Sequence, residues 1–286
     1  LVVSADARTV TFNSAVSVDD ITLGAGSTTT FDSTVGATVV ALNGDSTFTG
    51  AATFSDDAAM AAGTTTTFSS TFSGVDITGT TTANMTFNGA VTSTGNIAAG
   101  VGSTTAFNST VSAVNLSNSG AMTLEGAVTL SGTMTTVSGS TITLGSAFKA
   151  GSAAAITAAS TSVGTLDQTV NAVTVNVNNQ FTTGTVVLFK NTAAALDSDD
   201  LASFNVTDTA IVDYTAALSS TAKAIEITAN KRTTAGIATY LGMSTAQSAA
   251  LGQISAAVAS GDATASTALD TVLVTGGSTA VNAAEQ

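Results

Sequence analysis

The apolar positions of this 286-residue chain recur in short bursts, not in helical stripes. "TFNSAV" at 11–16, "TFDSTV" at 30–35, "TFNGAV" at 86–91 and "AFNSTV" at 106–111 share one order: a large apolar residue, small polar ones, then an apolar closer that is usually β-branched. Aligned on that phrase, eight copies open at Phe12, Phe31, Phe48, Phe68, Phe87, Phe107, Leu124 and Leu144 and close at Val16, Val35, Ala52, Phe72, Val91, Val111, Val128 and Phe148. Successive openings lie 19, 17, 20, 19, 20, 17 and 20 residues apart, a period that marks solenoids.

A second β-like segment lies between copies, as in "VDDITL" at 18–23, "VDITGT" at 75–80 and "AVNLSN" at 113–118. Each period therefore holds two or three short strands separated by turn residues. A leucine-rich repeat of similar length needs a strict Leu and Asn framework, and that framework is missing. The pattern predicts an all-β fold: a parallel β-helix, or β-solenoid, with ~19-residue coils over 1–190, and a mixed C-terminal capping or assembly region over 191–286 that contains a short helix. One coil cannot offset the entropy of ordering its own backbone. Stacking pairs its backbone with the coils above and below and lines Phe12, Phe31, Phe48, Phe68, Phe87, Phe107, Leu124 and Leu144 into one dry column. Facing outward, such a column would form an apolar patch too large for a soluble surface, which argues against an aromatic ligand platform.

The later segments read less regularly. "NAVTVNVNNQF" at 171–181 alternates as a strand, and 205–218 and 224–231 are strand-like. Residues 192–204 suit a helical turn capped by Asp197 or Ser198, and 244–259 a helix capped by Ser244 with Gly261 after its end.

Composition narrows the chemistry. Pro, Cys, His and Trp are absent. The missing Pro follows from a stack in which almost every N–H bonds to the next coil. About one residue in five is Thr, a residue suited to water-facing strands and to ladders across coils. A net charge of −13 disfavours nucleic acid and anionic lipid. No apolar run is long enough for a transmembrane helix. A Cys-free chain suits export through an oxidising periplasm, and a start at Leu1 with no signal sequence suggests a processed product or fragment.

Catalysis has little to work with. Without His or Cys, a nucleophile would need Ser with one of Lys149, Lys190, Lys223 or Lys231, or a carboxylate pair, and the expectation is no enzyme and no cofactor. The adjacent pairs Asp19–Asp20 and Asp56–Asp57 send their members to opposite faces of a strand. Calcium is the one ion to consider: Asp197, Asp199 and Asp200 offer hard oxygen ligands at a loop, with the two Asp pairs as further turns. The repeating GGxGxD pattern is absent, and Asp in turns and caps facing water is the plainer alternative.

"YTAAL" at 214–218, "AIEITANKR" at 224–232, "LGMSTAQSAAL" at 241–251 and the closing "ALDTVLV…AVNAAEQ" resemble the end of a bacterial autotransporter passenger domain of the β-helix type, where it meets the outer-membrane barrel. The resemblance implies that Ala283, Ala284, Glu285 and Gln286 are the last passenger residues. It also implies export to the bacterial cell surface, and O-linked sugars on the Thr-rich faces, as some passengers carry. The expected role is an extracellular structural protein, a β-solenoid subunit of a filament, coat or adhesive layer that self-associates end to end or laterally. The alternative is a monomeric adhesin that meets a cell-surface or glycan partner through its side wall.

Overall fold

The computed structural model describes residues 1–6, 8–159, 173–177 and 183–260. The chain forms two compact units: Leu1–Asn178, Thr185–Thr207 and Ala216–Ile227 in the first, Asn179–Gly184, Asp208–Thr215 and Thr228–Gln286 in the second.

Unit 1 is a parallel β-solenoid with three strands per coil. Sheet A has eight strands, from Val2–Val3 to Met134–Thr136, and sheet B has ten, from Thr9–Phe12 to Phe204–Thr207. Sheet C starts at Val16–Ser17 and belongs to an eleven-stranded sheet that becomes mixed toward the C-terminus. The stack runs past residue 190, because Phe204–Thr207 pairs in register with Val173–Val177.

The phrase openings meet face to face along sheet B. Phe12 pairs with Phe31, then Phe48, Phe68, Phe87, Phe107, Leu124, Leu144 and finally Val177. Phe31, Phe48, Phe87, Phe107, Leu124 and Leu144 are wholly buried, Phe68 nearly so, and Phe12 in the first coil half-buried. The six rings lie nearly parallel, with centroids 5.0, 4.8, 4.8, 5.0 and 5.3 Å apart. Offset stacking of this kind adds about 0.5–1.5 kcal/mol per pair beyond the area buried. The closers form a second column on sheet C, from Val16 and Val35 through Ala52, Phe72, Val91, Val111 and Val128.

The eighth copy closes elsewhere. Ile156, not Phe148, pairs with Val128 and then with Phe189. The corner after Leu144 is expanded, and Phe148 is buried inside it rather than on a strand. Burial alone does not distinguish the two placements, so an apolar residue at the right spacing was misleading.

Corner lengths explain the uneven period. Between sheets B and C the corner always has three residues through Leu124–Val128, whereas the corner between A and B has four residues after Leu23, Met60, Gly79, Ala99 and Thr136 but two after Leu42 and Asn118. Its longer form closes with a backbone hydrogen bond from the fourth residue to the first, as Ser27 to Gly24, Thr64 to Ala61 and Ser103 to Gly100. The third residue then has positive φ: Gly26 at 76°, Gly63 at 74°, Gly102 at 68°, Gly139 at 86° and, at some strain, Thr82 at 60°. The two short coils replace this turn with Asn43–Gly44 and Ser119–Gly120.

The corner between B and C shows a repeat two coils long. Ser33, Gly50, Ser70, Gly89, Ser109 and Gly126 follow one another at its centre. A Cβ on Gly50 would lie 2.5 Å from the Ser33 carbonyl carbon, on Gly89 2.4 Å from that of Ser70, and on Gly126 2.3 Å from that of Ser109. Glycine in alternate coils is what lets these corners close on one another.

Toward its C-terminal end, unit 1 carries helix α1, Ser198–Ala202, shorter than the predicted turn. Unit 2 contains α2, Thr234–Tyr240, and α3, Thr245–Ala259. Thr233 caps α2 by accepting from the Gly236 N–H at 3.2 Å, and Gly242, at φ 65°, follows its end. Ser244 caps α3 as expected: its hydroxyl accepts from the Gln247 N–H at 3.3 Å while Gln247 Oε1 accepts from the Ser244 N–H at 2.9 Å. Ile237, Ala238 and Leu251 form the core of the pair, with Leu241, Met243 and Ala250 packed on it. The predicted strand at 171–181 is seen at Val173–Val177; its flanks, Gly261 and residues 283–286 lie outside the described residues.

Candidate functional site

The outer wall of sheet B carries its side chains in register from coil to coil. Because side chains alternate along a strand, TVTF at Thr9–Phe12, TTTF at Thr28–Phe31 and Thr65–Phe68, and TITL at Thr141–Leu144 each send their first and third residues, all Thr, outward. Parallel register then aligns these positions into two ranks: Thr28 with Asp45 and Thr30 with Thr47, Thr65 with Asn84 and Thr67 with Thr86. Strand spacing sets the step between ranked residues at about 4.8 Å, and two residues along a strand span about 6.6 Å. Among the described residues, the hydroxyls of Thr30, Thr47, Thr67 and Thr86 have no protein partner. At the margin, the Thr104 hydroxyl bonds to Asn84 Oδ1.

Charge is kept off this wall. Asp45 is its only ionisable residue among the described strands, and its carboxylate accepts from the Thr65 N–H at 2.8 Å. Asp19, Asp20, Asp56, Asp57 and Asp76 lie instead at the corner between sheets C and A and at the start of sheet A. The Asp76 carboxylate accepts from the Asn96 N–H at 2.5 Å, so it joins consecutive coils. Asparagine ladders do the same: Asn108 Nδ2 donates to Asn88 Oδ1 at 2.7 Å and Asn115 Nδ2 to Asn96 Oδ1 at 2.8 Å.

The carboxylates singled out for calcium serve α1. Asp197 is its N-cap, and Oδ1 accepts from the N–H groups of Asp199 at 2.9 Å and Asp200 at 3.0 Å. Asp200 Oδ2 accepts in return from the Asp197 N–H at 3.0 Å, completing a reciprocal cap. Asp200 is buried and Asp199 exposed, and no group of three metal-ligating side chains occurs among the described residues. Burial pushes the Asp200 carboxyl above its ordinary value, with the negative charges of Asp197 and Asp199 adding to the rise and the hydrogen bond from the Asp197 N–H opposing it.

Unit 2 holds a constellation that spacing did not reveal. The Arg232 guanidinium donates to Asp208 Oδ2 at 2.6 Å, lies 3.6 Å from Asp213 Oδ1 and sits 4.8 Å above the Tyr240 ring. Tyr240 in turn donates its hydroxyl to the Asp208 carbonyl at 3.2 Å, and Asp208 Oδ1 accepts from the Tyr214 N–H at 2.8 Å. Burial first, and the Asp208 charge second, push the Tyr214 hydroxyl above its ordinary pKa. These contacts tie the segment before α2 to the helix. A cavity beside them, about 400 Å³, is lined by Ile211, Ile237 and Leu251 together with Lys231, Arg232 and Ser255. Asp208 precedes Arg232 by 24 residues, and no short motif announces the pair.

No helix among the described residues is long and apolar enough to cross a membrane. Compared with known proteins, the chain matches no family model, no curated relative and no solved structure.

Proposed function

We propose that this chain is an extracellular structural β-solenoid, a subunit of a cell-surface filament, coat or adhesive layer, and not an enzyme. The observation that carries this is the state of the first coil. Val2–Val3, Thr9–Phe12 and Val16–Ser17 each end a sheet, so each has a strand neighbour on one side only. The inward apolar residues there are also less covered than their later counterparts: Phe12 and Val16 are half-buried where Phe31 and Val35 are buried, and Val3 is 7% exposed where Leu23 is fully buried.

A strand edge with unmet backbone groups and an uncovered apolar layer takes another strand by augmentation. Sheets A and B of a second copy end in parallel strands, Met134–Thr136 and Phe204–Thr207, that could receive this edge, and a head-to-tail contact that does not close gives a fibre. Support for an extracellular setting is compositional: a Cys-free, strongly acidic, Thr-rich chain. The ordered hydroxyl wall of sheet B favours the second reading, a monomeric adhesin binding through its side.

Negative-stain micrographs of the purified chain test the two readings. Filaments of indefinite length are expected, and Phe12→Lys, which places a charge on the open layer, is expected to leave short rods. Rods alone from the unaltered chain would refute assembly and favour the adhesin.

A further inference from the structure

We infer that the Thr wall of sheet B binds crystalline water, so that the chain adsorbs to ice. Three features of the wall point to a periodic, uncharged partner. Register pairs Thr with Thr coil after coil along one rank, from Thr11 through Thr30, Thr47 and Thr67 to Thr86, while the parallel rank two residues away mixes Thr9, Thr28 and Thr65 with Asp45 and Asn84. The hydroxyls of the central run, Thr30, Thr47, Thr67 and Thr86, have no partner within the protein among the described residues. Asp45 is the wall's only ionisable residue among the described strands, in a chain of net charge −13.

The spacing fits water. Oxygens hydrogen-bonded at about 2.8 Å in a tetrahedral network place their second neighbours about 4.5 Å apart. Strands step at about 4.8 Å, so the mismatch is about 0.3 Å per coil, tolerable for a hydrogen bond over three or four consecutive coils. Thr30, Thr47, Thr67 and Thr86 form one such run of four in consecutive coils. Each β-branched Thr has a stiff χ1, and the parallel sheet beneath it holds its backbone. The hydroxyls are therefore ordered before contact, which lowers the entropic cost of binding. Every Thr also presents a methyl group, whose hydration water is released or ordered as the crystal face approaches.

Other partners fit less well. A carbohydrate surface calls for exposed aromatic rings on which sugar rings stack, and Phe12, Phe31, Phe48, Phe68, Phe87 and Phe107 point inward from this sheet. An anionic polymer or membrane calls for cations, and none occurs on the wall's described strands. A second copy docked on the wall would have to desolvate its free hydroxyls.

The test uses the whole chain in buffer below the melting point of ice. Thermal hysteresis, inhibition of recrystallisation and partition into a slowly grown ice hemisphere are measured for the unaltered chain, for Thr67→Lys on the wall, and for Thr78→Lys on the exposed outer face of sheet A. Circular dichroism and melting curves establish that both variants keep the fold, since each position faces outward. The unaltered chain and Thr78→Lys are expected to enter ice and shape its growth, and Thr67→Lys to lose most of the hysteresis and partition at the same protein concentration. An unaltered chain that stays in the liquid overturns the inference, as does hysteresis that Thr67→Lys leaves unchanged or that Thr78→Lys abolishes equally. Filaments in micrographs are read separately, so failure here leaves the assembly proposal standing or falling on its own result.

Discussion

In the coils of unit 1, Phe48, Phe68 and Phe87 each meet an aromatic ring above and another below, whereas the helices of unit 2 share one small cluster of Ile237, Ala238 and Leu251. The first arrangement distributes its stabilisation over nearest neighbours, so every coil is buttressed on two sides. The second concentrates it in a few contacts, and such regions open locally at lower free energy. The repeat unit is thus built to persist along its length, and the helical pair is the part from which early opening is expected.

Removing a ring from the spine is the most disruptive test of that contrast. Phe68 is almost fully buried, stacks on Phe48 and Phe87, and meets Phe54 and Phe72 edge-on. Phe68→Ala is expected to cost about 3–5 kcal/mol, seen as a lower denaturation midpoint in the strand signal. In unit 2, Leu251→Ala is expected to cost about 2–5 kcal/mol locally. Hydrogen exchange would show it as faster exchange in α2 and α3, with the amides of Thr67 and Thr86 still protected. Equal acceleration in both units would erase the distinction.

Backbone spacing in the corners sharpens the picture further. Gly89→Ala places a Cβ against the Ser70 backbone and is expected to destabilise by about 1–3 kcal/mol. Gly36→Ala, whose Cβ meets nothing within 4 Å, is expected to stay within about 0.5 kcal/mol of the unaltered chain in the same titration. Loss of the α1 cap by Asp197→Ala follows at about 1 kcal/mol, measurable as faster exchange at the Asp199 and Asp200 amides.

The smallest effect is one of pH. The folded state holds the Asp200 proton more tightly than the unfolded chain, whose carboxyl titrates near 3.8. Its contribution is therefore complete below that value and is lost as pH rises through the higher folded value. Asp200→Asn keeps an oxygen to accept from the Asp197 N–H and carries no charge. It is expected to flatten this part of the stability–pH curve and to be no less stable than the unaltered chain at pH 7. A marked loss at neutral pH would show that the ionised carboxylate is needed.

What repeats was legible, and what does not repeat was not. The openings from Phe12 to Leu144 gave the coil length and the inward column, because each bulky apolar residue is followed four residues later by an apolar closer across a fixed three-residue corner. That rule fails once, after Leu144, where the corner lengthens and Ile156 takes the place offered by Phe148. The number of strands per coil was ambiguous because sheet A segments such as Ala58–Met60 and Ile77–Gly79 are short and contain Ala or Gly at inward positions. Helix α2 was missed for a related reason: TAGIATY has a Gly, two Thr and a Tyr in seven residues, a weak helical signal that tertiary contacts override. Of the candidate sites, the Asp197 cap was visible as a cap, whereas the Arg232 clamp depends on contacts far apart in sequence. The two ranks of Thr were present in the sequence as T-x-T, but only register turns them into a surface.

Register is most directly tested by crosslinking, because the chain has no Cys of its own. Thr67 pairs with Thr86 and Thr86 with Ala106, so Thr67 and Ala106 lie two coils apart. Neighbouring strands at about 4.8 Å fall within the Cα separation a disulfide spans, and two coils, at about 9.6 Å, fall outside it. The doubly substituted chain Thr67→Cys/Thr86→Cys is predicted to oxidise rapidly to an intramolecular disulfide, while Thr67→Cys/Ala106→Cys stays reduced under the same conditions. Efficient closure of the second pair and not the first would contradict the stacked register.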